Sequence, residues 1–187
     1  MPSLHVLIAT IGRPSLQIML DSILPFLTEV DHLTIVFDGV EPTQINTETK
    51  GMVHVHHEPV SLGYWGHGVR NKYAHILEKT DFVMHADDDD EYKPGAFDAV
   101  RKLCIDTNTL YVAKIHRVIK NVYIPAYPKI ENTNIGTPCG IIPYEVNLRG
   151  DWGGQYGGDY MFYHSIEDLV PVVFLDHVIY SYNCRWD

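Results

Sequence analysis

Apolar runs and helical periodicities alternate along the first hundred residues. Leu4–Thr10 (LHVLIAT) is a continuous aliphatic run and reads as a buried strand. Gly12 breaks it, and Pro14 suits the first turn of a helix carrying Leu16, Met19, Leu20, Ile23 and Leu24 on one face. Pro25 ends or kinks that helix. Leu33–Phe37 is the second strand and Val53–His57 a weaker third, alternating Val and His. A second helix is predicted over Gly68–Glu78 with Val69, Tyr73, Ile76 and Leu77 inward. The fourth strand, Phe82–Ala86, runs straight into four aspartates, Asp87 to Asp90. Pro94-Gly95 then opens a short helix through Leu103.

This βαβαβ order predicts an α/β domain whose mainly parallel central sheet is flanked by helices, with a Rossmann-like first half. Ligands of such sheets gather beyond the carboxyl ends of the strands. The four predicted strands stop at Thr10, Asp38, Glu58 and Asp87, so three of the four exits carry an acid. After Leu103 the pattern changes. Leu110–Ile115 and Val118–Tyr123 read as paired strands around His116-Arg117, and Pro125–Pro138, with its three prolines, reads as a loop. Residues 144–187 hold ten of the 21 aromatics. Rings such as Trp152, Tyr156, Tyr160 and Tyr163 suit either sugar recognition or ordinary packing.

Length and charge narrow the function classes. At 187 residues the expectation is one domain, residues 1–187, its first half spanning 1–103 and its second 104–187. A net charge of −10 disfavours nucleic-acid binding. A nucleotide ligand stays compatible, because a divalent cation reverses the local sign. No run approaches the ~20 apolar residues of a membrane span. The start reads directly into a strand, without a basic leader, and Cys104, Cys139 and Cys184 are odd in number and widely spaced. A cytoplasmic, reducing location is expected.

Four adjacent carboxylates repel one another unless a cation lies among them. On an extended segment Asp87 and Asp89 share one side while Asp88 points elsewhere. Two convergent carboxylates suit Mg²⁺ or Mn²⁺, whose remaining ligands are water and phosphate oxygens. The competing reading is a solvated acidic turn before a helix.

FVMHADDDDEYKPGAF (82–97) resembles a motif of GT-A-fold glycosyltransferases, particularly the inverting glycosyltransferase family 2: an apolar strand, Asp-x-Asp-Asp, three residues, then Pro-Gly-Ala. LHVLIATIGRPSLQIMLDSI is similar to that family's first strand, Thr-x-x-Arg-Pro turn and helix. VFDG is similar to its second-strand acid, with Phe37 and Val40 departing from the pattern. SLGYWGHGVRNKYAHIL matches its Gly-x-x-x-Ala-Arg-Asn segment, with Val69 for the alanine. The likeness covers about residues 3–103. It implies a nucleotide-sugar donor, UDP favoured, held by Thr10, Arg13, Asp38, Gly63, Arg70, Asp87 and Asp88. Asp38 would accept from the uracil ring, and Arg70 would touch base or pyrophosphate. Asp87 and Asp89 would hold Mn²⁺ or Mg²⁺.

An inverting transferase needs a base for the acceptor hydroxyl. Gly157-Gly158-Asp159 resembles the family's Gly-Glu-Asp element, with Gly158 for the glutamate, which implies Asp159 as that base. The competing reading of Asp159 is the N-cap of a helix over Tyr160–Ser165, and Asp151 is the main rival base. His164 and His177 are candidates for a further metal ligand or phosphate contact. His54, His56 and His57 form a His-rich strand without further ligands nearby. The implied activity is metal-dependent transfer of a sugar from a nucleoside diphosphate to a hydroxyl of a glycan or other acceptor, with inversion. The alternatives are a catalytically silent nucleotide-sugar or cation-binding module, and a sugar-phosphate nucleotidyltransferase. The last would need a glycine-rich, basic first loop, whereas Ala9–Ser15 has one glycine.

Overall fold

A computed structural model describes residues 1–182; Cys184 lies outside the described residues. The chain runs β1 (Leu4–Thr10), α1 (Leu16–Asp21), β2 (His32–Asp38), β3 (Met52–Glu58), α2 (His67–Tyr73), β4 (Phe82–Asp87), β5 (Glu91–Tyr92) and α3 (Ala96–Leu103). It continues through β6 (Leu110–Arg117), β7 (Val122–Ile124), β8 (Gly140–Pro143), α4 (Tyr144–Asn147), α5 (Gly158–Ile166) and β9 (Val172–Tyr182).

One nine-stranded sheet has the order β3-β2-β1-β4-β8-β6-β9-β5, with β7 added to β6. The first four strands are parallel, and Ile8 lies between Ile35 and Ala86 in register. From β8 onward the pairing is mixed: β4–β8, β8–β6, β6–β7 and β9–β5 are antiparallel, while β6–β9 is parallel. The parallel part of the expected mainly parallel sheet is β1 to β4, with β6–β9 as a further parallel pair.

β1 and β2 are buried on both faces because helices cover both sides. Val6, Ile8, Ile35 and Phe37 pack with Leu16, Met19, Leu20 and Ile23 on one side. Leu7, Val36 and Val83 pack with Val69, Tyr73 and Leu77 on the other. β3, at the sheet edge, keeps Met52 and Val55 exposed.

Three boundaries differ from the sequence pattern. α1 stops at Asp21, and Pro25 lies in a separate 3₁₀ turn, Leu24–Phe26, although Ile23 and Leu24 stay buried as expected. α2 ends at Tyr73, so Ile76 falls past the regular helix and is exposed. The β6–β7 turn occupies 118–121 rather than His116-Arg117, because Asn121, at φ 48°, takes the left-handed position. No helix of the described residues is long and apolar enough to cross a membrane. Cys104 and Cys139 are buried free thiols, each pushed up to about 12 by burial.

Two buried polar centres hold the layers in register. Asp31, fully buried just before β2, accepts from Leu4 N (2.8 Å), from Thr28 N and Oγ1 (both 2.7 Å) and from Arg101 of α3 (2.5 Å). His5 is equally buried: its Nδ1 donates to the Glu78 carbonyl (2.9 Å), so Nε2 accepts from Thr34 Oγ1 (2.8 Å). His5 stacks on His32 and His32 on His54 (centroids 5.3 and 5.4 Å). Of the β3 histidines, His54 thus belongs to a ring stack and His56 sits edge-on to Tyr73 (5.1 Å), and no group of three His, Cys, Asp or Glu among the described residues is placed to hold a metal.

Removing the hub carboxylate leaves Arg101 and two backbone N–H groups unpaired in the interior. Asp31→Ala should cost about 3–5 kcal/mol in urea unfolding. Burial lowers His5 to about 4, and burial with the Arg70 charge lowers His85 to about 3. Both rings are neutral when folded but protonate near 6.5 when unfolded. Their stabilisation is complete above pH 6.5 and drains away as pH falls toward 4, by about 3 kcal/mol for each. Thermal midpoints measured between pH 7 and 4 should show that decline, and it should shrink in His5→Gln.

Candidate active site

The carboxyl ends of β1, β2 and β4 open onto a cleft of about 500 Å³. Thr10, Arg13, Asp38, Gly63, Asp87, Asp88 and Asp89 line it together with Asp159 of α5. Asn132, Thr137, Tyr156, Tyr160 and Arg117 complete the wall. Glu58, the fourth strand exit, stays outside the lining and binds Lys72 (2.7 Å) and Tyr73 (2.8 Å).

The aspartates divide by task. β4 ends at Asp87 and the chain turns, so side-chain directions follow the turn rather than the pleat. Asp88 accepts from Thr10 Oγ1 (2.6 Å) and Ile11 N (3.3 Å) and pairs with Arg13. It pins the loop after β1. Asp89 lies 3.9 Å from the same guanidinium. Burial, then the charges of Asp87 and Asp88, raise its carboxyl to about 6 against the opposing pull of Arg13. Asp90 is fully buried and outside the lining.

Arg70, expected in contact with base or pyrophosphate, lies instead beneath the cleft with no exposed surface. It donates to Asp87 Oδ1 (2.5 Å), the Ala86 carbonyl (3.2 Å) and the Trp65 carbonyl (3.1 Å), and packs over Trp152. Its cation is consumed in aiming Asp87. Asp38 lines the cleft, yet its carboxylate already accepts from Ser61 Oγ (3.0 Å), Leu62 N (2.6 Å) and Gly63 N (3.1 Å). Those bonds begin a run, 63–66, in which all four residues have positive φ. Gly66 permits it: a Cβ there would sit 2.8 Å from the Ala9 side chain and 2.9 Å from Arg70. The run presents Trp65, about two-thirds exposed, at the cleft mouth, edge-on to the exposed Tyr156 ring (5.9 Å).

Asp159 lies in the first turn of α5; the N-cap is Gly157, at φ 88°, not Asp159. Thr137 Oγ1 donates to its carboxylate (2.6 Å), and burial followed by the Asp87 charge raises its pKa. The side chain remains about 36% exposed. Asp151 is exposed outside the cleft, accepting from Gly153 N (2.8 Å). His164, paired with Glu167, and His177, exposed on β9, also fall outside it. Trp152 and Tyr163 are core residues, whereas Tyr156 and Tyr160 reach the cleft.

Sequence reasoning passed over Trp65, Thr137 and His67. Two signals pointed to the first and last. Glycines on both sides of Tyr64-Trp65 mark a left-handed loop, and His67 stands three residues before Arg70, on one face of α2.

Asp87 and Asp89 fit a hard divalent cation: oxygen donors facing one cleft, with crowded negative charge that already raises Asp89. Two protein carboxylates would leave the remaining positions to water or to a ligand's phosphate oxygens.

No protein-family model matches the sequence, and no curated protein does. Solved structures do match. S. aureus TarS 1-349 superposes with a TM-score of 0.73 at 16% identity, over 97% of this chain and 60% of that one. The mannosyltransferase PcManGT from Pyrobaculum calidifontis, in complex with GDP-Man and Mn²⁺, gives 0.70 at 14% identity, over 97% and 56%. TarS 1-349 in complex with UDP-GlcNAc gives 0.64 at 14%, over 99% and 59%. The fold is GT-A. This chain spans about 60% of the length of the TarS 1-349 chain. Within the GT-A frame, the cleft occupies the carboxyl edge of the parallel half-sheet, as the strand exits led one to expect.

Arg70→Met should cost about 3 kcal/mol or more in chemical denaturation, since it strips partners from two carbonyls and from Asp87. Arg70→Lys should recover only part of that, because one ammonium cannot replace the planar fork that spans three acceptors.

Proposed function

We propose that this chain is a metal-dependent glycosyltransferase that moves a sugar from a nucleoside diphosphate, UDP favoured, to an acceptor hydroxyl. The observation that carries this reading is the convergence of Asp87, Asp89 and Asp159, from the end of β4, the turn after it and α5, on one cleft within a GT-A fold. The named contents of its structural neighbours, UDP-GlcNAc and UDP for TarS and GDP-Man with Mn²⁺ for PcManGT, are of the same ligand class.

The donor diphosphate would lie between Asp87, Asp89 and the Thr10–Arg13 loop, with its base toward Asp38 and Gly63. A bound Mn²⁺ or Mg²⁺ supplies positive charge against the growing charge of the leaving diphosphate. Asp159 accepts the acceptor's hydroxyl proton as that oxygen bonds to the sugar's anomeric carbon. The bond to the diphosphate breaks and the nucleotide leaves with its electron pair. A single base and direct displacement give inversion. The elevated carboxyl of Asp159 favours this role, because a base poised nearer neutrality takes the proton more readily. Trp65 and Tyr156 at the mouth suit the apolar face of a sugar.

Thermal-shift screening with UDP, GDP, CDP and dTDP and their sugars, with and without Mn²⁺, tests the reading. The expected result is a midpoint rise for one nucleotide that requires metal and disappears in Asp89→Ala. Asp159→Asn should keep that rise while losing transfer by about 10²-fold or more. An equal rise in EDTA removes the metal from the proposal. Wild type that binds the donor yet turns over neither water nor any hydroxyl acceptor favours a binding module.

A further inference from the structure

His67, the first residue of α2, is the histidine of the cleft lining among the described residues, and the roles assigned above leave it idle. Its ring is 5% exposed and stacks on Trp152 (centroids 5.6 Å). Trp152 in turn stacks on Phe162 of α5 (4.2 Å) and lies under Arg70. The imidazole therefore cannot swing away. Its Nε2 stands 4.0 Å from Asp159 Oδ1, the oxygen that also accepts from Thr137.

The two ring nitrogens face different surroundings. Nδ1 is buried and has no hydrogen-bond partner among the described residues. It abuts Gly158, where an added Cβ would fall 2.3 Å from Cε1 and 2.4 Å from Nδ1. Thus Gly158, next to the candidate base, is the residue that lets the imidazole approach. Burial and the neighbouring Arg70 charge keep the ring neutral, outweighing Asp87. A neutral imidazole carries one N–H. On Nδ1 that hydrogen would be a buried donor without an acceptor, a costly arrangement; on Nε2 it points toward Asp159.

Building on the reading of Asp159 as base, we propose that His67 is its positioning residue: a neutral imidazole whose Nε2–H closes on Oδ1 and holds the carboxylate ionised and facing the acceptor hydroxyl. His67 itself gains and loses no proton. At 4.0 Å the Nε2–H dipole already favours the ionised carboxylate in the free protein, and the gap shortens to a hydrogen bond as ligand fills the cleft. The other charges acting on Asp159 are Asp87, Arg70 and Arg117, with the Thr137 hydroxyl bonded to it.

Two-bond ¹H–¹⁵N NMR of the wild-type protein at pH 7 reads the tautomer directly. The expected signature is neutral with N–H on Nε2; an Nδ1–H tautomer or an imidazolium overturns the proposal. His67→Phe keeps the ring stack and removes the N–H, whereas His67→Gln keeps an N–H donor. The Asp159 carboxyl, followed by ¹³C NMR in metal-free protein and assigned with Asp159→Asn, should titrate about half a unit or more higher in His67→Phe. It should stay near wild type in His67→Gln. Equal midpoints in all three, or Gln behaving as Phe does, overturn it. With Mn²⁺ and UDP- or GDP-sugars, hydrolysis should fall about tenfold in kcat for His67→Phe, with donor KM unchanged and partial recovery in His67→Gln. A loss confined to KM counts against positioning. If wild type neither hydrolyses these donors nor transfers from them to any hydroxyl acceptor, the transferase reading fails, while the two NMR measurements still decide the His67–Asp159 relation.

Discussion

The cleft depends on a single buried guanidinium. Arg70 lies wholly inside the protein, yet it joins two separate pieces of the floor: the end of β4, through the Ala86 carbonyl and the Asp87 carboxylate, and the left-handed loop that carries Trp65. A buried cation needs matched donors and an opposite charge close by; Arg70 has both at Nη1 and Nη2, while its Nε has no partner among the described residues. The acidic strand end supplies that charge. Arginine and aspartates are therefore mutually required: without Arg70 the carboxylates crowd one another, and without Asp87 the guanidinium has two neutral carbonyls for company. Arg13 does the same at the surface, where its pairing with Asp88 closes the loop after β1 over the strand end.

This arrangement explains how four adjacent acids coexist at a strand terminus. Each meets a different environment. Asp87 answers Arg70, Asp88 answers Thr10 and Arg13, and Asp90 is taken into the interior. Asp89 keeps the least compensation of the three that reach the cleft, and its raised carboxyl registers that. The charge left over is therefore localised on one residue and its immediate neighbour. A cation site needs that localisation more than it needs a high count of acids.

Much of this was readable from the sequence, and for definite reasons. The parallel half-sheet follows from uninterrupted runs such as LTIVF, which no other layer arrangement buries as well. Eight of the nine expected site residues reached the cleft because strand exits in such sheets share one edge. The exception, Arg70, lies below the cleft, and a basic residue in a helical pattern gives no sign of its depth; its partners at Trp65, Ala86 and Asp87 make its burial possible. His67 escaped notice for the same reason, its importance arising from Gly158, about ninety positions away. Asp159 is the second residue of its helix, two places past the cap, because Gly157, with positive φ, takes the terminal position. The second half resisted reading because its short antiparallel strands and bulged β6–β9 pairing leave no long period to recognise.

The excess of acid has a kinetic corollary. A polypeptide of net charge −10 whose recess is walled by Asp87, Asp88, Asp89 and Asp159 repels an approaching bare diphosphate. On the transferase reading, encounter is productive chiefly for a nucleotide already escorted by its counter-ion, or after the counter-ion has entered first. Order of arrival is then written into the electrostatics of the entrance.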